Sequence, residues 1–187
     1  MKGTFSTTFR LPSFVSYNLL SSTEVKETYT RPTNAQSTSL NIERYAGTYT
    51  SPGYHPMSLC HARSNSTYCR DVLTTMASLG QPTDLDGGLY GAYESVWATH
   101  VRLEHFAGDV FNITLTAILP HGFGRNTSAF ELYETGTSGG WVEFAVGADA
   151  GEVEGFAFFT DAPACAARAR KTGGGSREAA DAWFERV

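Results

Sequence analysis

Four titratable side chains lie close together between positions 100 and 105. His100, Arg102 and Glu104 alternate along one predicted strand, and His105 follows directly. Alternate residues of a strand share a face, so His100 and Glu104 would place a general base near a carboxylate. The same alternation is typical of a solvated strand face, which is the interpretation we favour. We expect His105 to lie on the apolar side next to a turn, either with its ring nitrogens satisfied within the chain or in contact with a ligand.

Two histidines and two cysteines between positions 55 and 69 raise the question of a metal site. They are His55, Cys60, His61 and Cys69. Their spacing matches no compact zinc pattern, and the adjacent Cys60 and His61 would point to opposite faces of a strand. The chain contains no Gly-x-Ser-x-Gly, His-Glu-x-x-His, Walker or dinucleotide-binding glycine motif. We therefore predict no metal site, no cofactor and no catalytic residue.

The cysteines and the glycosylation sequons bear on the compartment of the protein. Cys60 and Cys69 are near enough in sequence to close a short loop, whereas Cys165 is expected to be a buried or half-buried thiol. Whether the pair is bonded depends on whether the chain meets an oxidising compartment. Three sequons for N-linked glycans are present, beginning at Asn65, Asn112 and Asn126.

Charge and hydropathy narrow the classes of partner. The formal net charge is -5, and Lys and Arg are scattered, which argues against nucleic acid or an anionic membrane surface. No stretch approaches the roughly 20 apolar residues that a membrane helix needs. Near the N-terminus the apolar run is interrupted by Arg10, Pro12 and Ser13, so we predict no signal peptide there.

The chain divides into a polar N-terminal segment and one domain. Residues 1–41 are rich in Ser and Thr and poor in apolar residues, which predicts a linker or a loosely docked arm. Residues 42–187 contain the strand patterns. Trp97 to His105 and Phe111 to Ala117 alternate between apolar and polar residues, which predicts an antiparallel hairpin with one face inward.

Two stretches of the domain have helical spacing. Ser66 to Leu79 predicts a helix that Ser66 or Thr67 caps, and Ser176 to Val187 predicts a second helix that Ser176 caps. Gln81 to Gly91 holds a proline and three glycines, which favours a loop. Short consecutive strands joined by tight turns, with no alternating helices, suit an antiparallel barrel or sandwich.

Several motifs together resemble a known domain. In chain order they are Tyr45-Ala46-Gly47-Thr48-Tyr49, Pro52-Gly53-Tyr54, His105-x-x-Gly108-Asp109-x-Phe111, Val142-Glu143-Phe144 and Gly151-Glu152-Val153-Glu154-Gly155-Phe156. This order is similar to the C-terminal lipocalin-like domain of β-lactamase-related serine hydrolases. Further motifs resemble the fungal branch: Leu59-Cys60, Tyr68-Cys69-x-x-Val72-Leu73, Phe130-Glu131-x-x-Glu134-Thr135-Gly136 and Ala180-Asp181-Ala182-Trp183-Phe184.

The resemblance implies a mainly β fold, an antiparallel lipocalin-like β-barrel with one inserted helix and a C-terminal helix. It implies a non-catalytic accessory domain that packs against a hydrolase domain, and a secreted protein. The family's catalytic Ser-x-x-Lys and Tyr-x-Asn motifs lie in a separate upstream domain and are absent from this sequence. The chain is thus expected to be a free-standing relative or a fragment. Its partner would be a hydrolase domain on another chain, or a second copy.

The alternative function is a free-standing barrel that binds or transforms a small apolar ligand. Aromatic side chains that point inward would line such a cavity, because barrels of about eight strands can hold one small molecule. The same side chains would equally fill the barrel. The candidates are Trp97, Phe111, Phe144 and Phe156, with His105 beside the turn.

Overall fold

The computed structural model of this protein describes residues 31–80, 85–122, 124, 128–135, 139–147 and 151–187. These residues contain nine strands and three α-helices. The strands are β1 (Gly47–Thr50), β2 (Met57–Leu59), β3 (Gly88–Ala92), β4 (His100–Ala107), β5 (Val110–Leu119), β6 (Phe130–Glu134), β7 (Trp141–Val146), β8 (Val153–Phe159) and β9 (Ala182–Arg186). The helices are α1 (Thr67–Ser78), α2 (Ala162–Thr172) and α3 (Ser176–Ala179). The predicted class is confirmed: a mainly antiparallel β barrel with one inserted helix and helical structure near the C-terminus.

Eight of the strands form a nearly closed barrel. Their order is β2-β1-β9-β8-β7-β5-β4-β3, and all the pairings are antiparallel. The two ends of this order meet where Cys60 and Tyr90 exchange backbone hydrogen bonds of 2.7 and 2.8 Å. The ninth strand, β6, pairs with the C-terminal half of β5, whose N-terminal residues pair with β7.

The β4–β5 hairpin shows how the sequence alternation becomes a core. Val101 and Leu103 pair with Leu115 and Ile113, and their side chains turn into the barrel while Arg102 between them does not. Burying a side chain of this size stabilises the fold by about 1.5–3 kcal/mol. The predicted hairpin is confirmed, although β4 begins at His100 and not at Trp97.

Helix α1 packs against the outside of the barrel. The side chain of Ser66 accepts a hydrogen bond from the Cys69 N–H at 3.1 Å, so the helix begins at a predicted cap. Its apolar stripe covers the outer faces of β3 and β5. The buried contacts are those of Val72 and Met76 with Tyr90 and Ile118.

The C-terminal segment differs from the single helix that its spacing predicts over Ser176 to Val187. Helix α3 ends at Ala179, and the next residues form β9, which pairs with β8 and β1. Phe184 is buried inside the barrel at 1% exposure, whereas Trp183 packs on the outside. The apolar pattern of this segment is compatible with the period of a helix and with that of a strand. The segment forms a strand because it pairs with the edges of β8 and β1.

Two further elements depart from the sequence interpretation. Helix α2 is not predicted, although Asp161 caps it through the Ala164 N–H and Gly173 ends it at a φ of 59°. Strand β3 lies in the stretch interpreted as a loop. Its Gly91 leaves no room for a side chain, because a Cβ there would lie 2.6 Å from the carbonyl oxygen of Ser58.

Candidate functional site

The interior of the barrel is filled with aromatic rings. Phe111, Phe144 and Phe156 are each exposed by 3% or less, and the ring centroid of Phe144 lies 5.3 Å from those of the other two. Tyr45 and Tyr49 pack on Phe144 at 5.1 and 5.8 Å. A void of about 20 Å³ lies at one end of the barrel. Pockets for small ligands measure roughly 300–1,000 Å³, so this void is far too small for one.

Trp97 does not belong to this cluster. It lies in the loop before β4 and is 81% exposed, and its neighbour Val96 is 89% exposed. The prediction that Trp97 faces inward is wrong. Strand alternation holds only where residues are paired in the sheet, and β4 is paired from His100 onward.

His105 is half-buried, with its ring 5.4 Å from Phe111 in an edge-on arrangement. Its Nδ1 lies 3.0 Å from Nη2 of Arg31, and its Nε2 lies 2.9 Å from the carbonyl oxygen of Gly108. A guanidinium only donates and a carbonyl only accepts, so this geometry assigns a neutral ring with its proton on Nε2. Both ring nitrogens form hydrogen bonds within the chain. This agrees with the first of the two expectations for His105, a ring satisfied by the chain and not by a ligand.

The charged residues of β4 do not assemble into an acid–base pair. His100 is 8% exposed, its Nδ1 lies 2.8 Å from the hydroxyl of Thr99, and burial lowers its pKa. Arg102 forms a 2.6 Å salt bridge with Glu134 of β6. Glu104 is exposed, and four residues of extended strand place it about 13 Å from His100 along the backbone. That separation is too large for direct proton transfer between them.

Asp109, in the turn between β4 and β5, holds the described part of the N-terminal arm. Its carboxylate accepts hydrogen bonds from the backbone N–H and hydroxyl of Ser39, at 2.9 and 2.7 Å, and from the hydroxyl of Tyr45. Burial and the hydrogen bond to Asp109 raise the pKa of Tyr45 well above its ordinary value. Residues 31–41 thus form part of the same compact unit, which begins at Arg31.

An open cleft of about 700 Å³ lies between this arm and the barrel. Its charged side chains are largely engaged with the chain itself. Arg31 contacts His105, and Arg63 forms a 2.7 Å salt bridge with Glu43. The cleft is mixed in charge and exposed, so it defines no particular class of ligand.

The cysteine and histidine cluster between positions 55 and 69 is built around a disulfide. Cys60 and Cys69 are bonded, which ties the end of β2 to the first turn of α1. His61 is buried, with its Nε2 3.1 Å from the carbonyl oxygen of Asp86, while His55 is exposed. In the described residues no group of three or more His, Cys, Asp or Glu side chains is arranged to hold a metal ion.

The third cysteine, Cys165, is a free thiol in α2 and is 6% exposed. Burial and the nearby carboxylate of Asp181 raise its pKa, against the effect of Arg168, whose Nη2 lies 3.1 Å from the sulfur. Because the thiolate is the nucleophile, this environment disfavours reactivity.

An exposed apolar surface lies where β6 joins β5. Phe130, Leu132 and Tyr133 are 43%, 62% and 54% exposed. Tyr133 lies opposite Ala117, and Phe130 opposite Leu119, on the face of β5 that continues into the barrel interior. We call this surface the β6 lip, and its members are Leu115, Ala117, Leu119, Phe130, Leu132 and Tyr133. The alternation in the sequence does not reveal it, because only the extension of β5 beyond β7 exposes this face.

The acidic side chains of β6 form contacts on the other face of the sheet, away from the lip. Glu134 pairs with Arg102, and Glu131 accepts a 2.5 Å hydrogen bond from the hydroxyl of Thr116. A register shift after Ala117 leaves Leu132 as the extra residue of a bulge. Phe130 and Tyr133 therefore lie on the lip, and Leu132 is 62% exposed at the bulge beside them. Their acidic neighbours bond to the outer face of β4 and β5.

Comparison of the chain with protein-family models, with curated proteins and with solved structures finds no match. The resemblance to the β-lactamase-related C-terminal domain therefore stays a prediction. No helix in the described part of the chain is long and apolar enough to cross a membrane. Of the sequons, Asn65 lies in the loop before α1 and Asn112 in β5, while Asn126 lies outside the described residues.

Proposed function

We propose that this chain is a non-catalytic accessory domain that binds another protein through its β6 lip. The observation that supports the proposal is the exposure of three large apolar side chains, Phe130, Leu132 and Tyr133, on one five-residue strand. Contiguous exposed apolar surface marks interaction sites in folded proteins, and aromatic residues are enriched in protein interfaces. Leu115 connects the lip to Tyr54 and Tyr93 around the small void at the same end of the barrel.

The proposed partner is a protein surface that is apolar at its centre. The sequence resemblance points to the catalytic domain of a β-lactamase-related serine hydrolase on another chain, with this chain as the counterpart of its lipocalin-like domain. A second copy of the chain is the other occupant that the test below distinguishes. The packed aromatic interior favours this function over the binding of a small apolar ligand inside the barrel.

The test is a charge placed on the lip. Leu132→Glu puts a carboxylate into the proposed interface, and Val187→Glu puts the same charge at an apolar residue that is 75% exposed and lies outside the lip. Sedimentation equilibrium of each protein measures self-association. Isothermal titration calorimetry with a purified β-lactamase-related catalytic domain measures binding to that domain. Loss of a buried apolar anchor costs about 2 kcal/mol, which corresponds to a roughly thirtyfold weaker complex.

We expect Leu132→Glu to weaken one of the two associations by at least about tenfold, with Val187→Glu unchanged. A change in self-association identifies a second copy as the partner, and a change in the titration identifies the hydrolase domain. The proposal fails if the wild-type chain is monomeric and does not bind the hydrolase domain, or if both variants behave like the wild type. Covalent labelling of the chain by a fluorophosphonate probe would overturn its non-catalytic part.

A further inference from the structure

We infer that Asn65 carries an N-linked glycan and that Asn112 does not. The sequon Asn65-Ser66-Thr67 lies between β2 and α1, and all three residues are exposed. The side chain of Asn65 belongs to an irregular segment and not to a strand or helix. An enzyme that attaches a large glycan needs such an accessible segment, and the folded protein must then accommodate the glycan.

A glycan at Asn65 leaves the start of α1 intact. The cap uses the oxygen of Ser66, which accepts from the Cys69 N–H, and Thr67 accepts a 3.3 Å hydrogen bond from Arg70. Neither bond involves the amide of Asn65. The modification therefore needs no change in the helix that follows the acceptor.

The disulfide is an independent observation that points to the same modification. Asn65 lies within the loop that Cys60 and Cys69 close, and the sequence separation of the two cysteines is 9. Disulfides persist in oxidising compartments such as the lumen of the endoplasmic reticulum, and N-linked glycans are a feature of secreted proteins. A chain that folds with this bond formed therefore meets the conditions under which its exposed sequon is modified.

Asn112 is in a different environment. It lies within β5, between Glu104 of β4 and Trp141 of β7, and is half-buried. Trp141 is stacked on Phe159 at a centroid distance of 5.0 Å, so a glycan on Asn112 would have to project beside a packed aromatic pair. Of the two described sequons, the fold favours Asn65.

The experiment directs the full chain into the secretory pathway of a eukaryotic host and analyses all of the chain in microsomes and medium. Peptide mapping after treatment with peptide-N-glycosidase locates each modified Asn by its conversion to Asp. Alkylation without reduction reports whether the disulfide has formed. The variants are Asn65→Gln, Asn112→Gln, Thr67→Ala and Thr67→Ser.

We expect modification of Asn65 in the wild type, in Asn112→Gln and in Thr67→Ser, which keeps the sequon hydroxyl. We expect its loss in Asn65→Gln and in Thr67→Ala, which removes that hydroxyl and keeps the acceptor. An unmodified Asn65 in the wild-type chain overturns the inference, whether or not the disulfide has formed. So does a glycan on Asn112. Neither result affects the proposed role of the β6 lip.

Discussion

The hydroxyl of Tyr45 donates a 2.5 Å hydrogen bond to Oδ1 of Asp109, which lies 64 positions later in the chain. Tyr45 is the last residue of the turn that precedes β1. Asp109 lies in the turn between β4 and β5, and strands β9, β8 and β7 separate this hairpin from β1 in the strand order. Because Ser39 bonds to the same carboxylate through two groups, one side chain joins the N-terminal arm, the start of the barrel and its central hairpin.

Removing this carboxylate should destabilise the whole domain. We expect Asp109→Ala to lower the free energy of unfolding by about 2–4 kcal/mol, because three hydrogen bonds to a charged acceptor are lost. Tyr45→Phe loses one of them and should cost about 1–2 kcal/mol. Urea unfolding of both variants and of the double variant measures the coupling. If the destabilisation of the double variant equals the sum of the two single variants, Tyr45 and Asp109 do not stabilise each other.

The seam that closes the barrel should not tolerate a methyl group at Gly91. A Cβ there would lie 2.6 Å from the carbonyl oxygen of Ser58, so Gly91→Ala must push β2 and β3 apart at a cost of about 1–3 kcal/mol. Gly87→Ala is the matched control, because a Cβ at Gly87 meets nothing within 4 Å. Thermal unfolding should show a lower Tm for Gly91→Ala only. Equal Tm values for the two variants would contradict this closure of the barrel.

Glu143 should make stability fall as the pH rises above the ordinary range of a glutamate. Burial raises its pKa, the hydrogen bond from Ser176 at 2.7 Å lowers it, and the charge of Asp109 raises it, with a net upward shift. Between the unfolded and the folded pKa, the unfolded chain has released the proton that the folded chain still holds. The stability that the neutral group contributes is therefore present at low pH and is lost as the pH rises through the folded pKa.

Urea unfolding across this interval should show a flatter pH dependence for Glu143→Gln than for the wild type. Ser176→Ala removes the bond that favours the ionised form, so it should steepen the fall. A Glu143→Gln variant with the wild-type slope would assign the pH dependence to other groups.

Local signals in the sequence were sufficient where neighbouring residues determine the structure. The alternation from Phe111 to Ala117 predicts β5 because each apolar residue needs the same face, and Ser66 predicts the start of α1 because its oxygen reaches the Cys69 N–H three residues later. The signals for α2, Asp161 before it and Gly173 after it, are of the same local kind and were available in the sequence. These features require no knowledge of the rest of the chain.

Other features depend on which strands meet. The spacing of Trp183, Phe184 and Val187 suits a helix, yet the segment forms β9 because the barrel offers two open strand edges and an apolar interior for Phe184. The need for glycine at position 91 of β3 is apparent only in the folded barrel, where the backbone of Gly91 approaches Ser58 of β2. The β6 lip likewise exists only because β5 extends beyond its pairing with β7. The sequence by itself therefore determined the periods and the caps, through contacts within a few residues. The tertiary structure decided strand pairing, the packed interior and the exposed lip, since these depend on contacts between residues far apart in the chain.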